Sequence, residues 1–361
     1  MHAKIITLPG DGIGPEVVAE GVRVLQVVAE KCNHRFEFEP HLMGGCAIDA
    51  TGNPLSDETL AACRASDAVL LGAVGGPKWD VGDVRPEQGL LKLRKGLELF
   101  ANLRPVKPHP ALVHASPLKP EKLANVDFIV MRELTGGLYF GQPKARYQTE
   151  HGERAVDTME YHDYEIARIV ARACQLAQMR RGRVTSVDKA NVLESSKLWR
   201  AITEKTAKDF EGITLEHMLV DTAAMRLVLS PAQFDVIVTE NTFGDILTDE
   251  AAVLVGSMGL LPSASLGAPF DSAQGVLGVY EPIHGSAPDI AGKGIANPIG
   301  TILSAAMLLR YSLNLSREAF LVEQAVDRAL SEGCRTADIA REGERALSTR
   351  EMTDEIARRM A

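Results

Sequence analysis

Residues 239–252 read T-E-N-T-F-G-D-I-L-T-D-E-A-A and directly follow an apolar run, residues 234–238. The apolar run has the length and the β-branched content of a buried strand. Asn241 or Thr242 can cap the next element, and the pattern is helical from Phe243 onward. This stretch therefore predicts a strand that passes straight into a helix, which is the repeating unit of an α/β fold.

Two aspartates, Asp245 and Asp249, lie four residues apart in this predicted helix and so share one of its faces. Two carboxylates at that spacing repel each other unless a cation lies between them, and their hard oxygen atoms suit Mg²⁺ or Mn²⁺. On spacing alone, a solvated acidic helix face is the more common explanation. The rest of the sequence has to decide between these two interpretations.

The same alternation of strand and helix runs through the chain. Strands are predicted at residues 3–8, 36–40, 68–73, 103–107, 127–132, 184–188 and 214–220. Helices are predicted at residues 15–31, 56–65, 89–99, 164–179, 196–210 and 222–229. Residues from 258 onward are rich in Gly, Ser and Pro and are predicted to be a loop before a mostly helical final third. The alternation predicts an α/β sandwich whose ligands bind at the carboxyl ends of the strands.

The glycines after the first predicted strand do not form a Rossmann fingerprint. Gly10, Gly12 and Gly14 are present, but Pro15 stands where the third glycine of that motif should be. The sequence therefore predicts a tight strand-to-helix turn that approaches a ligand, in a non-Rossmann fold.

A β-hairpin is predicted from residues 146–150 and 154–159, which flank His151-Gly152. A lone hairpin is unstable in water, so it is expected to pack on another surface, such as that of a partner chain.

The composition restricts the class of function. Acidic residues outnumber basic ones, 48 to 39, and the net charge of −9 argues against nucleic acid as the main partner. The five scattered cysteines form no C-x-x-C pair, which favours a reducing cytoplasm over a disulfide framework or a zinc site. The N-terminus is predicted to be a strand rather than a signal peptide, and no stretch is apolar enough to span a membrane.

Three arginines from separate segments, Arg94, Arg104 and Arg132, could together bind a dianionic substrate, because arginine binds carboxylates bidentately. Alone, each is more often an ordinary surface or salt-bridging arginine. Tyr139, within T-G-G-L-Y-F-G, is either a proton donor or a core or interface aromatic.

Two polar residues follow predicted strands at their carboxyl ends. Lys189 there is a usable general base if burial or neighbouring cations lower its pKa, and otherwise a solvated loop lysine. Asp221 is either a third metal carboxylate or a helix cap. A further loop, residues 281–289 with the sequence E-P-I-H-G-S-A-P-D, could wrap an anionic or aromatic ligand, with Asp289 accepting from ribose hydroxyls.

Seven motifs in order together resemble the isocitrate/isopropylmalate dehydrogenase family of metal-dependent β-decarboxylating dehydrogenases. The motifs are L-P-G-D-G-I-G-P-E (8–16), P-E-Q-G-L-L-K-L-R-K (86–95), A-N-L-R-P (101–105), M-R-E-L-T-G-G-L-Y-F-G (131–141), V-D-K-A-N-V-L (187–193), E-N-T-F-G-D-I-L-T-D-E (240–250) and H-G-S-A-P-D (284–289). The resemblance covers essentially the whole chain and favours the functional interpretation of each motif over the structural one.

The resemblance implies a two-domain α/β fold that is unrelated to the Rossmann fold. A first, cofactor-binding domain would comprise residues 1–103 plus 256–361 and hold both termini. A second domain, residues 104–255, would be inserted and carry the metal site, the interface of a homodimer and an intersubunit β-arm at about residues 137–160.

The resemblance also implies roles for single residues. Lys189 would be the general base and Tyr139 the proton donor. The substrate carboxylates would be held by Arg94, Arg104 and Arg132, and the metal by Asp245 and Asp249 together with Asp221 of the other subunit, which also contacts the substrate. The cofactor would be bound by His284, Gly285, Ser286, Ala287, Pro288, Asp289 and Asn297.

Substrate and cofactor choice follow from a few side chains. The pocket for the C3 substituent would be formed by Glu87, Leu90, Leu91 and Val192. Its Leu and Val side chains would leave a carboxylate buried and unpaired, which disfavours isocitrate. Asp289 would accept from the ribose 2′-OH and repel a 2′-phosphate, which favours NAD.

The implied reaction is the oxidative decarboxylation of (2R,3S)-3-isopropylmalate with NAD⁺ to 4-methyl-2-oxopentanoate, CO₂ and NADH, in leucine biosynthesis. A malate- or tartrate-type relative is the alternative within the class. Phosphoryl transfer and non-catalytic ligand binding are the competing classes, although the sequence contains no P-loop.

Overall fold

The computed structural model describes residues 1–268 and 275–360, and the chain divides into two compact units. The first unit comprises Met1–Leu99, Pro108–Pro117 and the chain from Val255 onward. The second unit comprises Phe100–Lys107 and Leu118–Leu254. The predicted boundaries, 103/104 and 255/256, did not separate Pro108–Pro117, which packs within the first unit.

In the described residues the strands are β1 (His2–Gly10), β2 (Arg35–Pro40), β3 (Ala68–Ala73), β4 (Ala101–Val106), β5 (Phe128–Glu133), β6 (Ala145–Thr149), β7 (Gly152–Val156), β8 (Arg183–Asp188), β9 (Thr214–Leu219), β10 (Val236–Thr239), β11 (Pro262–Leu266) and β12 (Gly278–Pro282). The helices are α1 (Gly14–Cys32), α2 (Gly45–Thr51), α3 (Asp57–Arg64), α4 (Pro86–Gly96), α5 (Pro120–Leu123), α6 (Asp163–Gln178), α7 (Glu194–Ala207), α8 (Val220–Leu229), α9 (Asn241–Val255), α10 (Ile299–Tyr311), α11 (Ser316–Ser331) and α12 (Thr349–Arg359).

The strands of the first unit lie in the order β2-β1-β3-β12-β11. All neighbours are parallel except β11, which pairs antiparallel with β12. Helix α10 packs against β11, β12, α1 and α11, and almost all of its residues are buried. A helix covered on all sides in this way needs an apolar sequence around its whole circumference, as α10 has.

The prediction of a loop from residue 258 onward is wrong for β11 and β12. Strand β11 reads P-S-A-S-L, so its sequence lacks the β-branched and aromatic residues that normally mark a strand. Ser263 and Ser265 are nevertheless 1% and 0% exposed, since β11 lies beneath α10. Residues 269–274 of the predicted loop lie outside the described residues.

The strands of the second unit lie in the order β4-β5-β10-β8-β9. Strand β4 is antiparallel to β5, and the other neighbours are parallel. In the register, Thr239 at the end of β10 pairs with Arg132 of β5 and with Val187 of β8. The segments that follow β5, β8 and β10 therefore leave the sheet at the same edge, where an α/β sheet binds its ligands.

The start of α9 differs from the prediction in both position and cap. The helix begins at Asn241 rather than at Phe243, and neither Asn241 nor Thr242 caps it. The cap is Glu240, whose carboxylate accepts from the backbone N–H of Thr242 at 2.9 Å and of Phe243 at 2.6 Å. Cap preferences describe short side chains at exposed helix ends, whereas Glu240 is buried and its longer side chain reaches the same N–H groups.

The predicted hairpin is present as β6 and β7, which pair from Ala145↔Val156 to Thr149↔Gly152. Its side chains are exposed except for the half-buried Val156. Its assignment as an intersubunit arm stays a prediction. Among the described residues, no helix combines the length and the hydropathy needed to cross a membrane.

Candidate active site

Arg132 and Asp245 form the centre of a polar cluster in the second unit. Arg132 lies near the carboxyl end of β5 and is only 2% exposed. Its Nη1 donates to Oδ1 of Asp245, one turn into α9, and its Nε and Nη2 both donate to Oδ1 of Asn241, at 3.1 and 2.8 Å. Gly244 permits this packing, because a Cβ at that position would lie 2.6 Å from Cγ of Arg132.

Tyr139 joins the same cluster. It stands on a short 3₁₀ turn, Gly137–Tyr139, and its hydroxyl donates to Oδ2 of Asp245 at 2.8 Å. Partial burial raises the pKa of Tyr139 to about 12, with further contributions from the hydrogen bond to Asp245 and from its charge. Tyr139 therefore carries its proton at neutral pH, as a proton donor must.

Arg104 lies on β4, the antiparallel neighbour of β5, and its side chain contacts the next turn of α9. Its Nη1 donates to Oγ1 of Thr248 at 2.7 Å and lies 3.6 Å from Oδ1 of Asp249, while its Nε donates to Asn102. The structure thus brings Arg104 and Arg132 to the two aspartates of α9. Both arginine side chains are largely buried, unlike ordinary surface arginines.

Lys189 and Asp221 form a separate pair in the second unit. Lys189 follows β8, and its Nζ lies 2.5 Å from Oδ1 of Asp221 in the first turn of α8. This hydrogen bond, together with the positive charge of Lys189, holds the pKa of Asp221 below its usual value. Because α8 begins at Val220, Asp221 lies in its first turn and not at the cap position, which is one of the two roles predicted for it. Val192 lies in the same loop as Lys189 and is 64% exposed.

The chemistry of Asp245 and Asp249 fits a divalent cation. Both side chains reach solvent, with 40% and 72% exposure, and they present hard carboxylate oxygens from one helix face. Burial raises the pKa of Asp245, but the charge of Arg132 and the hydrogen bond from Tyr139 outweigh it and keep the carboxyl ionised at neutral pH. Within the described residues of this single chain, no three His, Cys, Asp or Glu side chains are grouped to hold a metal ion.

The first unit contains the predicted pocket residues on α4. Glu87, Leu90, Leu91 and Arg94 lie at intervals of three, one and three residues and share one helix face. Leu90 packs on the core beneath the helix, while Glu87 is exposed near Gly75. Nη2 of Arg94 donates to Oε1 of Glu281 at 3.2 Å, at the end of β12.

The predicted cofactor loop follows β12 and packs against the glycine turn after β1. The backbone N–H of Ile13 donates to O of Ser286 at 2.8 Å, and a Cβ on Gly12 would lie 1.9 Å from that oxygen. Gly12 also has a φ of +59°, a conformation that favours glycine. The glycines of this turn thus serve close packing of two loops, which the sequence alone did not reveal.

Two groups of this loop fit a nucleotide. Among the described residues, the buried Nε2 of His284 has no hydrogen-bond partner, and the carboxylate of Asp289 is exposed. Burial lowers the pKa of His284, so its imidazole is neutral at neutral pH. The side chain of Asn297, also predicted to bind the cofactor, already has protein partners. It donates to Asp338 and accepts from the backbone N–H of Ile299.

The observed contacts of three buried residues were not predicted from the sequence. Asp11 is buried and accepts from the backbone N–H groups of Gly45, Cys46 and Gly75, each at 2.8 Å, so it ties three segments of the first unit together. Glu240 and Asn241 were missed because their partners are distant in sequence or act through the backbone. For Asp11, the one signal in the sequence was its position within the turn motif P-G-D-G.

A profile of the family described as isocitrate/isopropylmalate dehydrogenase matches residues 4–356. The chain belongs to this family. The 3-isopropylmalate dehydrogenase of Anaeromyxobacter dehalogenans is 63% identical over 363 residues, covering 100% of both chains. The 3-isopropylmalate dehydrogenase of Bacillus subtilis is 59% identical over 359 residues, covering 99% of this chain and 96% of its relative. The solved isocitrate dehydrogenase of Methylococcus capsulatus has a TM-score of 0.87 at 33% identity, covering 100% and 99% of the two chains.

Family membership confirms the predicted isocitrate/isopropylmalate dehydrogenase-like α/β fold and makes the protein an oxidoreductase of this family. A dehydrogenase of this family implies a nucleotide cofactor and a divalent metal. In this chain, the carboxylates of Asp245 and Asp249 on α9 have the chemistry that suits the metal. The loop after β12 has the chemistry that suits the nucleotide.

Proposed function

We propose that the protein oxidatively decarboxylates (2R,3S)-3-isopropylmalate with NAD⁺, giving 4-methyl-2-oxopentanoate, CO₂ and NADH in leucine biosynthesis. The observation that carries this proposal is the 63% identity, over the full length of both chains, to a relative named 3-isopropylmalate dehydrogenase. The cluster of Arg104, Arg132, Tyr139, Asp245 and Asp249 on and around α9 supports it, because it supplies cations for carboxylates and a proton donor beside acidic metal ligands.

Each step of the proposed reaction has a side chain suited to it. Arg104 and Arg132, with Arg94 as the third, bind the two carboxylates of the malate. Lys189 takes the proton of the C2 hydroxyl as the alcohol is oxidised, which requires that its ammonium first lose its own proton. Loss of CO₂ from the resulting β-keto acid leaves an enol, and Tyr139 donates a proton to its carbon.

The cofactors of the proposal are Mg²⁺ or Mn²⁺ and NAD. Asp245 and Asp249 would hold the metal with Asp221 of a partner subunit, and residues 284–289 with Asn297 would bind the nucleotide. A bound divalent cation supplies Lewis acidity, and bound NAD⁺ supplies the hydride acceptor. The exposed carboxylate of Asp289 supports NAD over NADP, since it would repel a 2′-phosphate.

The substrate's isopropyl group is proposed to contact Leu90, Leu91 and Val192, with Glu87 beside them. Leu90 and Leu91 are half-buried on α4, so their exposed parts offer apolar surface to a ligand. An apolar contact of this size discriminates between substituents by about 1–3 kcal/mol.

A homodimer with shared active sites completes the proposal. Two helices of the second unit, α8 and α9, expose large apolar side chains that a partner surface would cover: Met225, Val228, Leu229, Ile246 and Val253. The exposed hairpin β6–β7 has the same need for a partner. The five cysteines are free thiols, which accords with the proposed location in a reducing cytoplasm.

Steady-state assays test the proposal directly. Initial rates of NADH formation are measured at 340 nm with 3-isopropylmalate, isocitrate and malate, each with NAD⁺ and with NADP⁺, in the presence of Mg²⁺. We expect kcat/KM to be highest for 3-isopropylmalate with NAD⁺, by at least about 10-fold over each other pair. A higher kcat/KM for malate or for isocitrate would show that 3-isopropylmalate is not the preferred substrate. A preference for NADP⁺ would show that NAD⁺ is not the preferred cofactor.

A further inference from the structure

Asn241 is buried at the centre of the second unit's cluster and contacts three different groups there. Its side chain is 1% exposed. The side-chain Oδ1 accepts both from Nε and from Nη2 of Arg132, and Nδ2 donates to the carbonyl oxygen of Gly136 at 3.1 Å. Its backbone N–H donates to the hydroxyl of Tyr161 at 3.0 Å.

The two bonds from Oδ1 determine the orientation of Arg132. A guanidinium is planar, so an oxygen shared by Nε and Nη2 fixes both the plane and the direction of the group. The methylene groups of Arg132 pack closely on Gly244, where a Cβ would lie 2.6 Å from Cγ and 2.8 Å from Cβ of the arginine. Nη1 is thereby directed at Asp245, and the guanidinium lies 5.8 Å from the centre of the Tyr139 ring.

The bond from Nδ2 fixes the turn that carries Tyr139. Gly136 and Gly137 pack against Tyr161. A Cβ on Gly136 would lie 2.7 Å from Cε1 of the ring, and a Cβ on Gly137 would lie 2.6 Å from the hydroxyl oxygen. The carbonyl of Gly136 is held by Asn241, and three residues later the hydroxyl of Tyr139 meets Asp245. One amide side chain therefore connects the strand residue Arg132 to the turn of Tyr139.

We propose that Asn241 is a positioning residue for the reaction, which orients Arg132 for the substrate carboxylate and Tyr139 for proton donation. This inference rests on the proposed function, because it takes the roles of Arg132 and Tyr139 from it. An amide suits the position because it offers an acceptor to the arginine and a donor to the carbonyl at the same time. A carboxylate in its place offers no donor, and a hydroxyl offers its donor and its acceptors from one atom rather than from two.

The first test replaces Asn241 by Ala and compares it with Tyr161→Phe. Tyr161→Phe removes two buried hydrogen bonds of the hydroxyl, one from the backbone N–H of Asn241 and one to Oε2 of Glu133. It keeps the aromatic ring and leaves the amide of Asn241 on Arg132, so it is a matched control for loosening of the cluster. We expect both variants to have a lower Tm. Only Asn241→Ala should raise the KM for 3-isopropylmalate and lower kcat/KM by about 10- to 100-fold, the scale of a lost hydrogen bond to a charged group. Equal kinetic losses in the two variants would overturn the proposal.

A double-mutant cycle tests whether the effect acts through Arg132. Lysine at position 132 cannot bind one oxygen through two nitrogen atoms, so Arg132→Lys already loses the oriented geometry. On that background we expect Asn241→Ala to lower kcat/KM by a smaller factor than in the wild type, because only the effect through the turn of Tyr139 remains. Fully additive losses would show that Asn241 does not orient Arg132 and would overturn the proposal.

Should Asn241→Ala fail to fold, the isosteric Asn241→Asp provides the same decision. It retains the oxygen that faces Arg132 but replaces the Nδ2 donor to Gly136 by a second oxygen and adds a negative charge that competes with the substrate carboxylate, so we expect a higher KM. An unchanged KM would overturn the proposal.

Calorimetric titration with 3-isopropylmalate, in Mg²⁺ and without nucleotide, separates this inference from the proposed reaction. We expect a Kd about 10-fold weaker for Asn241→Ala and unchanged for Tyr161→Phe. If the wild type binds 3-isopropylmalate without producing NADH, the proposed reaction fails while the comparison of Kd values still judges Asn241. If the wild type binds none of 3-isopropylmalate, isocitrate and malate, both proposals fail.

Discussion

At the scale of single residues, the pairing of Lys189 with Asp221 is the most informative contact for catalysis. The two side chains are 28% and 63% exposed, and the backbone N–H of Lys189 donates to Oγ of the buried Ser196 at 3.0 Å. The chain thus holds the proposed base in a defined place at the carboxyl end of β8. Lys189 can accept a proton from the substrate only if its ammonium group has first lost a proton of its own.

Lys189→Met should lower kcat by roughly 100-fold or more, the usual effect of losing a general base, with little change in KM. The fold should persist because Asp221 is exposed enough to be solvated without its partner. Steady-state kinetics with 3-isopropylmalate measure the effect. Lys197→Met is the matched control, since Lys197 lies on the exposed face of α7 and its ion pair among the described residues is with the exposed Glu194. A Lys189→Met enzyme that keeps more than half of the wild-type kcat would refute the role.

The sequence predicted the residues of the cluster better than their partners. Asp245, Asp249 and the arginines could be identified because spacing on a helix and motif order are properties of the chain itself. The contact between Arg132 and Asn241 spans 109 residues and depends on which strands are neighbours, so no local pattern contains it. Asn241 was instead predicted as a helix cap, the commonest role of asparagine in that position.

At the scale of elements, an arginine–aspartate cluster connects the amino-terminal ends of strands in the second unit's sheet, at the end opposite the candidate active site. Nε of Arg180 donates to Oδ1 of Asp235 at 2.8 Å, and its Nη2 donates to Oδ1 of Asp127 at 2.7 Å. Asp235 also accepts from the N–H groups of Arg181 and Arg183. The segment after α6 is thereby fastened to the starts of β5, β8 and β10, whose other ends carry the site.

Asp127→Asn should destabilise the protein at pH 7, and the loss should shrink in acid. Burial raises the pKa of Asp127, but hydrogen bonding and charge from Arg180, with help from Lys107, hold it below the usual 3.8. The stabilisation from the ionised carboxyl is therefore present above the unfolded pKa and is lost as pH falls through the lower folded pKa. Urea unfolding of both proteins between about pH 3 and pH 7 measures the difference.

The control for this prediction is Asp209→Asn, at an exposed aspartate between α7 and β9. Its free energy of unfolding should match that of the wild type at every pH. A gap between wild type and Asp127→Asn that stays constant, or that widens as the pH falls, would contradict the assigned pKa direction.

The elements that the sequence predicted well are those with a strong period or a buried β-branched run, such as α6 and β10. Strand β11 could not be predicted because it relies on small side chains packed beneath α10, which is a property of tertiary packing. Strand β12, G-V-Y-E-P, has only two strand-favouring residues between a glycine and a proline, too short a run to stand out. The packing of the glycine turn after β1 also could not be predicted from the sequence. Gly10 and Gly12 are required there by close contact with the carbonyl groups of Ala73 and Ser286, which are distant in the chain.

At the scale of the whole molecule, the proposed homodimer has a clear geometric consequence. In a twofold symmetric dimer, each active site would take Arg104, Arg132, Tyr139, Asp245 and Asp249 from one chain. Lys189 and Asp221 would come from the other chain, and their ion pair shows that one chain presents them side by side. The two groups of residues can therefore be inactivated on separate chains.

Mixed dimers test this arrangement. Lys189→Ala and Asp249→Ala homodimers should each be nearly inactive, because every site lacks the base or a metal ligand. When the two are unfolded and refolded together in equal amounts, random pairing makes about half of the dimers mixed. In a mixed dimer one site carries both substitutions and the other carries neither, so activity should return to roughly a quarter of that of refolded wild type.

A second mixture, Lys189→Ala with Asp221→Ala, is the matched control. Both residues would be given by the same chain to the same site, so every site in that mixture still lacks one of them and no activity should return. Recovery in the first mixture and none in the second can arise only if Lys189 and Asp221 act across the interface. If the first mixture stays inactive while wild-type chains refold well under the same conditions, each site is built within a single chain. The exposed apolar side chains of α8 and α9 would then need a different partner.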